Sequence, residues 1–114
     1  MRGGKIVAEP VNVDAESFAQ EVGTADGLVL VDFWSPTCAH CLKLNPELDK
    51  AAEDGADRAK FVKVSFADAQ SLFAEHGVMA VPTLVLFRNG DEVARREGAQ
   101  TAAELLSWLD EQQT

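Results

Sequence analysis

One run of residues limits what this chain can fold into. Leu28-Val29-Leu30-Val31-Asp32-Phe33 is apolar and rich in β-branched side chains, with a single carboxylate inside it. A nearly continuous apolar run suits a central strand covered on both faces. Trp34-Ser35-Pro36-Thr37-Cys38-Ala39-His40-Cys41 follows and contains both cysteines of the chain. A helical pattern comes next, with Leu44, Leu48, Ala51 and Ala52 on one face. The Cys-x-x-Cys therefore falls where a buried strand hands over to a helix. The first turn of a helix has unpaired backbone N–H groups and a partial positive charge. A sulfur placed there is stabilised as the thiolate, the reactive form. Two cysteines one helical turn apart can also close a disulfide with little backbone movement. Beside a βαβ pattern, this combination points to thiol–disulfide redox chemistry.

The remaining totals narrow the field. A chain of 114 residues suits one domain spanning 1–114, with one core. No apolar run approaches the roughly 18 residues of a membrane span. The start, Met1-Arg2-Gly3-Gly4-Lys5, lacks the apolar core of a signal peptide, so the expected location is cytoplasmic. A net charge of −9 argues against binding a phosphate backbone, which needs clustered Lys and Arg, and fits a soluble monomer. A reducing cytosol disfavours a structural disulfide, and a loop this small would gain little from one.

Taken in order, Lys5 to Val11 alternates as a short strand ending near Pro10. Asp14 caps a helix through Phe18 and Val22 that Gly23 ends. Thr24 to Gly27 is a polar turn before the Leu28–Phe33 strand. The helix from about Cys38 runs to Gly55 and carries Pro46, which removes one backbone bond and kinks it. Lys60 to Phe66 is a third strand. A short helix follows from Asp68 or Ala69 through Leu72 and Phe73 to Gly77. Thr83 to Phe87 is a fourth strand, and Asn89-Gly90 is a type I′ hairpin turn returning Val93 to Glu97 antiparallel. Thr101-Ala102-Ala103-Glu104 is a capping box opening a last helix with Leu105, Leu106, Trp108 and Leu109. The order β-α-β-α-β-α-β-β-α predicts an α/β domain. Its central sheet has five mixed strands, those joined through helices parallel and the C-terminal hairpin antiparallel. Four helices lie on its two faces.

Val31-Asp32-Phe33-Trp34, the Cys-x-x-Cys, Pro46, Val81-Pro82-Thr83, Phe87-Arg88-Asn89-Gly90 and Gly98-Ala99 stand in an order and spacing that resembles the thioredoxin family over nearly the whole chain. The resemblance implies the thioredoxin fold and a cis Val81–Pro82 bond facing the disulfide. It also implies a cofactor-free protein-disulfide reductase, re-reduced by a thioredoxin reductase. Two positions depart from the family pattern: Thr37 replaces an aromatic, and His40 replaces the proline between the cysteines. A histidine there is similar to protein disulfide isomerase and the periplasmic disulfide oxidases.

Cys38, first in order and at the helix start, is the candidate nucleophile, and Cys41 the thiol that resolves the mixed disulfide. Asp32 is a candidate proton acceptor for Cys41, because burial raises a carboxyl's pKa toward neutrality. By resemblance, Asp32 lies behind Cys41 with Lys63 nearby. A protonated His40 would favour the thiolate and make the disulfide more oxidising, within the range of about −270 to −120 mV spanned by such proteins. His76 reads as a cation at a helix C-terminus. Trp34, Val81, Pro82, Gly98 and Ala99 are candidate substrate-binding residues, since a proline loop and a glycine turn admit an extended peptide. Two alternatives stand beside the enzyme. One is a metal or iron–sulfur module on Cys38, His40 and Cys41, which lacks a fourth ligand unless His76 or a second protomer supplies it. The other is a redox-silent interaction module.

Overall fold

The computed structural model describes residues 9–23 and 25–113. Its elements are β1 (Val11–Val13), α1 (Ala15–Gly23), β2 (Leu28–Trp34), α2 (Ala39–Asp54), β3 (Ala59–Ser65), α3 (Gln70–Glu75), β4 (Thr83–Arg88), β5 (Asp91–Glu97) and α4 (Ala102–Glu111). The two-residue period of a strand sorts the core into two layers. Val29, Val31 and Phe33 of β2 pack with Phe18 and Val22 of α1 and Leu72 and Phe73 of α3. Leu28 and Leu30 pack with Leu44 and Leu48 of α2 and Leu105, Trp108 and Leu109 of α4. Alternate residues of one strand thus hold down different helices, as a sheet covered on both faces requires.

The five strands lie in the order β1-β3-β2-β4-β5. β1, β3 and β2 are mutually parallel. β4 runs antiparallel to β2, and β5 antiparallel to β4. The expectation that every helix-joined pair is parallel is therefore wrong at β4, which alone opposes the other four strands. The positions of the strand ends show it. β3 leaves the sheet at Ser65, opposite Trp34, and β4 enters at Thr83, opposite Phe33, at the same end. A six-residue α3 advances only about 9 Å, against about 23 Å for seven residues of strand. β4 starts beside the point where β3 ends and so runs the other way.

The local signals mostly hold. Asp14 Oδ1 accepts from the Ser17 N–H at 2.9 Å and caps α1. Thr101 and Glu104 form the expected box, with bonds of 3.1 and 2.8 Å, each such cap contributing about 1 kcal/mol. Asn89 and Gly90 both have positive φ, 53° and 85°, as a type I′ turn demands. β5 begins at Asp91 rather than Val93, with a register shift beside Leu86 and Phe87. At the N-terminus, Lys5–Ala8 of the expected first strand, like Thr24 of the expected turn, lie outside the described residues. The described strand starts after Pro10, at Val11, because proline has no N–H for the ladder. His76 does end α3 as its C-cap. Its ring also lies among Phe18, Phe33 and Phe87, with centroids 5.2, 5.9 and 5.4 Å away. Arg95 of β5 clamps this end by donating to the carbonyls of His76 and Gly77 while paired with Glu92.

Candidate active site

Cys38 is the N-cap residue of α2. Its backbone is extended, and its Sγ accepts from the Cys41 N–H at 3.1 Å. The sulfur thus occupies the place where a Ser or Asp oxygen normally satisfies an orphan N–H of the first turn. Cys38 is half-buried, and its thiol points at the Val81 carbonyl, 3.7 Å away. Cys41, one turn deeper, is fully buried, and both cysteines are free thiols. Burial pushes the Cys41 thiol well above the ordinary range. The hydrogen bond to Cys38 and the charges of Cys38 and Asp32 add to this. The two sulfurs are therefore unlike: one is presented at a helix end, the other is held as a thiol.

Asp32 faces the α2 and α4 side of the sheet and is 0 % exposed. Neither carboxyl oxygen has a hydrogen-bond partner among the described residues. Burial raises its pKa from 3.8 to about 7, and the Lys63 charge works against that rise. Lys63 is opposite Asp32 in register on β3, yet its ammonium turns elsewhere. It donates to Asn45 Oδ1 on α2 at 2.8 Å and lies over the Trp34 ring, 4.5 Å from the centroid. Asn45 escaped the sequence reading. The available signal was its place one turn beyond Cys41 on the same helix.

The loops close over the sulfur end. The Val81–Pro82 bond is cis, as the resemblance implied. Gly98, with φ 91°, donates its N–H to the Pro82 carbonyl at 2.8 Å, so the glycine turn lies against the proline loop. Thr83 Oγ1 donates to the Ala80 carbonyl at 2.6 Å and tightens the same loop. Val81 is half-buried, Pro82 buried, and Ala99 exposed at the rim. His40 is exposed on the first turn of α2. On the other side of Val81 an open, largely apolar groove of about 370 Å³ runs between Thr37, Phe66, Met79 and Ala80. Met79 is 96 % exposed and Phe66 45 %. Sequence patterning did not single out either, since apolar side chains in loops carry no period. Among the described residues, no group of three or more His, Cys, Asp or Glu is placed to hold a metal ion, and no helix is long and apolar enough to cross a membrane.

Comparison with known proteins agrees with this geometry. The family model described as Thioredoxin matches residues 9–111. The thioredoxin of Pseudomonas aeruginosa is 39% identical over 100 residues, which cover 88% of this chain and 93% of that protein. The thioredoxin of Haemophilus influenzae is 33% identical over 105 residues, covering 92% and 98%. That of Porphyra purpurea is 39% identical over 94 residues, covering 82% and 88%. With a half-buried Cys38 above a buried Cys41 at a strand-to-helix junction and relatives matched over most of their length, this chain belongs to the thioredoxin family and is a protein thiol–disulfide oxidoreductase of the disulfide-reductase kind.

Proposed function

We propose that Cys38 is the nucleophile and Cys41 the resolving thiol, with Asp32 as proton acceptor. The Cys38 thiolate attacks one sulfur of a substrate disulfide. A Cys38–substrate bond forms, the substrate S–S bond breaks, and one substrate thiolate leaves. That step removes the negative charge on Cys38, one of the influences that hold Cys41 protonated. Cys41 then gives its proton to the Asp32 carboxylate and attacks Cys38 Sγ. The mixed disulfide breaks, the second substrate thiol leaves, and Cys38–Cys41 becomes the disulfide. Two electrons pass from the dithiol to the substrate. An acceptor titrating near 7 takes and returns the proton readily at neutral pH.

The substrates are protein disulfides, presented as extended segments along Trp34, Val81, Pro82, Gly98 and Ala99. The polypeptide acts as one domain over 1–114, monomeric and cytoplasmic. It carries no cofactor and is re-reduced by a thioredoxin reductase. A reducing compartment suits this direction, and a charge of −9 suits neither nucleic acid nor an anionic membrane surface. Lys63 sets the charge felt by Asp32, and His40 tunes the poise of the pair.

The observation that carries the assignment of the two sulfurs is the Cys38 N-cap geometry above a fully buried Cys41. Cys41→Ser, incubated with a protein disulfide, should accumulate a mixed disulfide seen as an added mass that dithiothreitol removes. Cys38→Ser should accumulate none. Trapping on Cys38→Ser instead would reverse the two roles.

A further inference from the structure

A lysine directly opposite a buried carboxylate has one obvious partner, and Lys63 does not take it. Asp32 and Lys63 are paired in register on adjacent strands. Both carboxyl oxygens of Asp32 nonetheless have no hydrogen-bond partner among the described residues. The Lys63 ammonium instead donates to Asn45 Oδ1 at 2.8 Å, with the Trp34 ring beneath it at 4.5 Å. A neutral amide oxygen and an aromatic face are thus the contacts that hold the end of the flexible lysine stem.

Among the described residues, the other groups on this side of the sheet offer Asp32 no substitute cation. Leu84 of β4 stands opposite it. Leu105, Trp108 and Leu109 cover the layer from α4. Arg96 of β5 is stacked 4.8 Å over Trp108, and the Glu47 carboxylate of α2 accepts from the Ala102 N–H. Cys41 and Cys38 bring only their thiols. Lys63 is thus the cation that works on Asp32, from wherever Asn45 holds it.

We propose that Asn45 is a positioning residue: its side-chain carbonyl holds the Lys63 ammonium off Asp32 and leaves that carboxyl free to take the Cys41 proton. The proposal rests on Asp32 acting as the proton acceptor. A direct Lys63–Asp32 ion pair would favour the carboxylate and make it a weaker acceptor near neutral pH. Asn45 therefore governs the pH at which the resolving step works, without touching either sulfur.

The test is Asn45→Ala in the reduced protein, with the Asp32 side-chain carboxyl followed by carbon NMR as pH is varied. Alanine is the strongest helix former and fits the half-buried α2 position. The Asp32 midpoint should fall by about 1 pH unit or more as Lys63 moves in. The acid limb of the resolving rate, measured on the mixed disulfide, should fall in parallel. In a Lys63→Met background the same Asn45→Ala change should leave the midpoint where Lys63→Met puts it. An unmoved or raised midpoint in the single variant overturns the proposal. So does an equal downward shift in both backgrounds, which would mark a general change in burial. The titration is read without turnover, so its failure is separate from any failure of the cysteine trapping.

Discussion

The two faces of β2 are one residue apart in sequence and opposite in character. Phe33 points into a layer of aromatic and β-branched side chains, where its ring meets Phe73 edge-on at 5.2 Å. Asp32 points into a leucine-rich layer, with no partner for either oxygen among the described residues. Both are completely buried. The first burial contributes stability, and the second costs it. On the proposed mechanism the α2 and α4 face is the one that moves the proton, while the α1 and α3 face holds the scaffold still.

Three changes would break or sharpen that contrast. The largest effect should come from Phe33→Ala, which empties the centre of the aromatic face. It should destabilise the reduced protein by about 3–5 kcal/mol in urea denaturation. A loss under about 1 kcal/mol would mean that this face is not what anchors α1 and α3. Asp32→Asn should act in the opposite direction. The folded carboxyl titrates near 7 and the unfolded one near 3.8, so the folded state binds the extra proton between those values. Wild-type stability is then untouched below about pH 4, falls as pH rises toward 7, and is fully reduced above it. The whole loss is on the order of 4 kcal/mol at 1.36 kcal/mol per unit. Asp32→Asn should flatten this slope, and a variant that keeps it would place the titration elsewhere. The smallest effect should come from His40→Ala on the exposed first turn of α2. Removing the imidazole between the two cysteines should make the pair more reducing by about 30 mV, a tenfold change in equilibrium with a reference dithiol. An unchanged potential would leave the poise to the helix end and the buried groups alone.

What could be seen in the chain beforehand was whatever local chemistry decides. The Asp14 and Thr101 caps, the Asn89-Gly90 turn and the Cys38 helix start each depend on a few adjacent residues, and each was legible. The direction of β4 was not, because it depends on how far α3 and the following loop carry the chain in space. The His76 ring among Phe18, Phe33 and Phe87 was missed for a similar reason. Its partners come from α1, β2 and β4, and no spacing along the sequence links them. The same holds for the site. Cys38, Cys41 and Asp32 announce themselves as residue types in improbable places. Asn45 becomes informative only when α2 is laid over β3 and the Lys63 ammonium is found on it rather than on Asp32.

The reversed β4 strand also settles where this protein can be extended. The sulfurs gather where β2 and β3 end and β4 begins, so the β4–β5 hairpin turn at Asn89-Gly90 lies at the opposite end of the sheet. Both turn residues are exposed. Lengthening a surface loop costs little, roughly 0.6 kcal/mol per doubling. A peptide tag, a surface tether or a second domain grafted there would leave Cys38 facing free solution, a layout suited to an immobilised reductant.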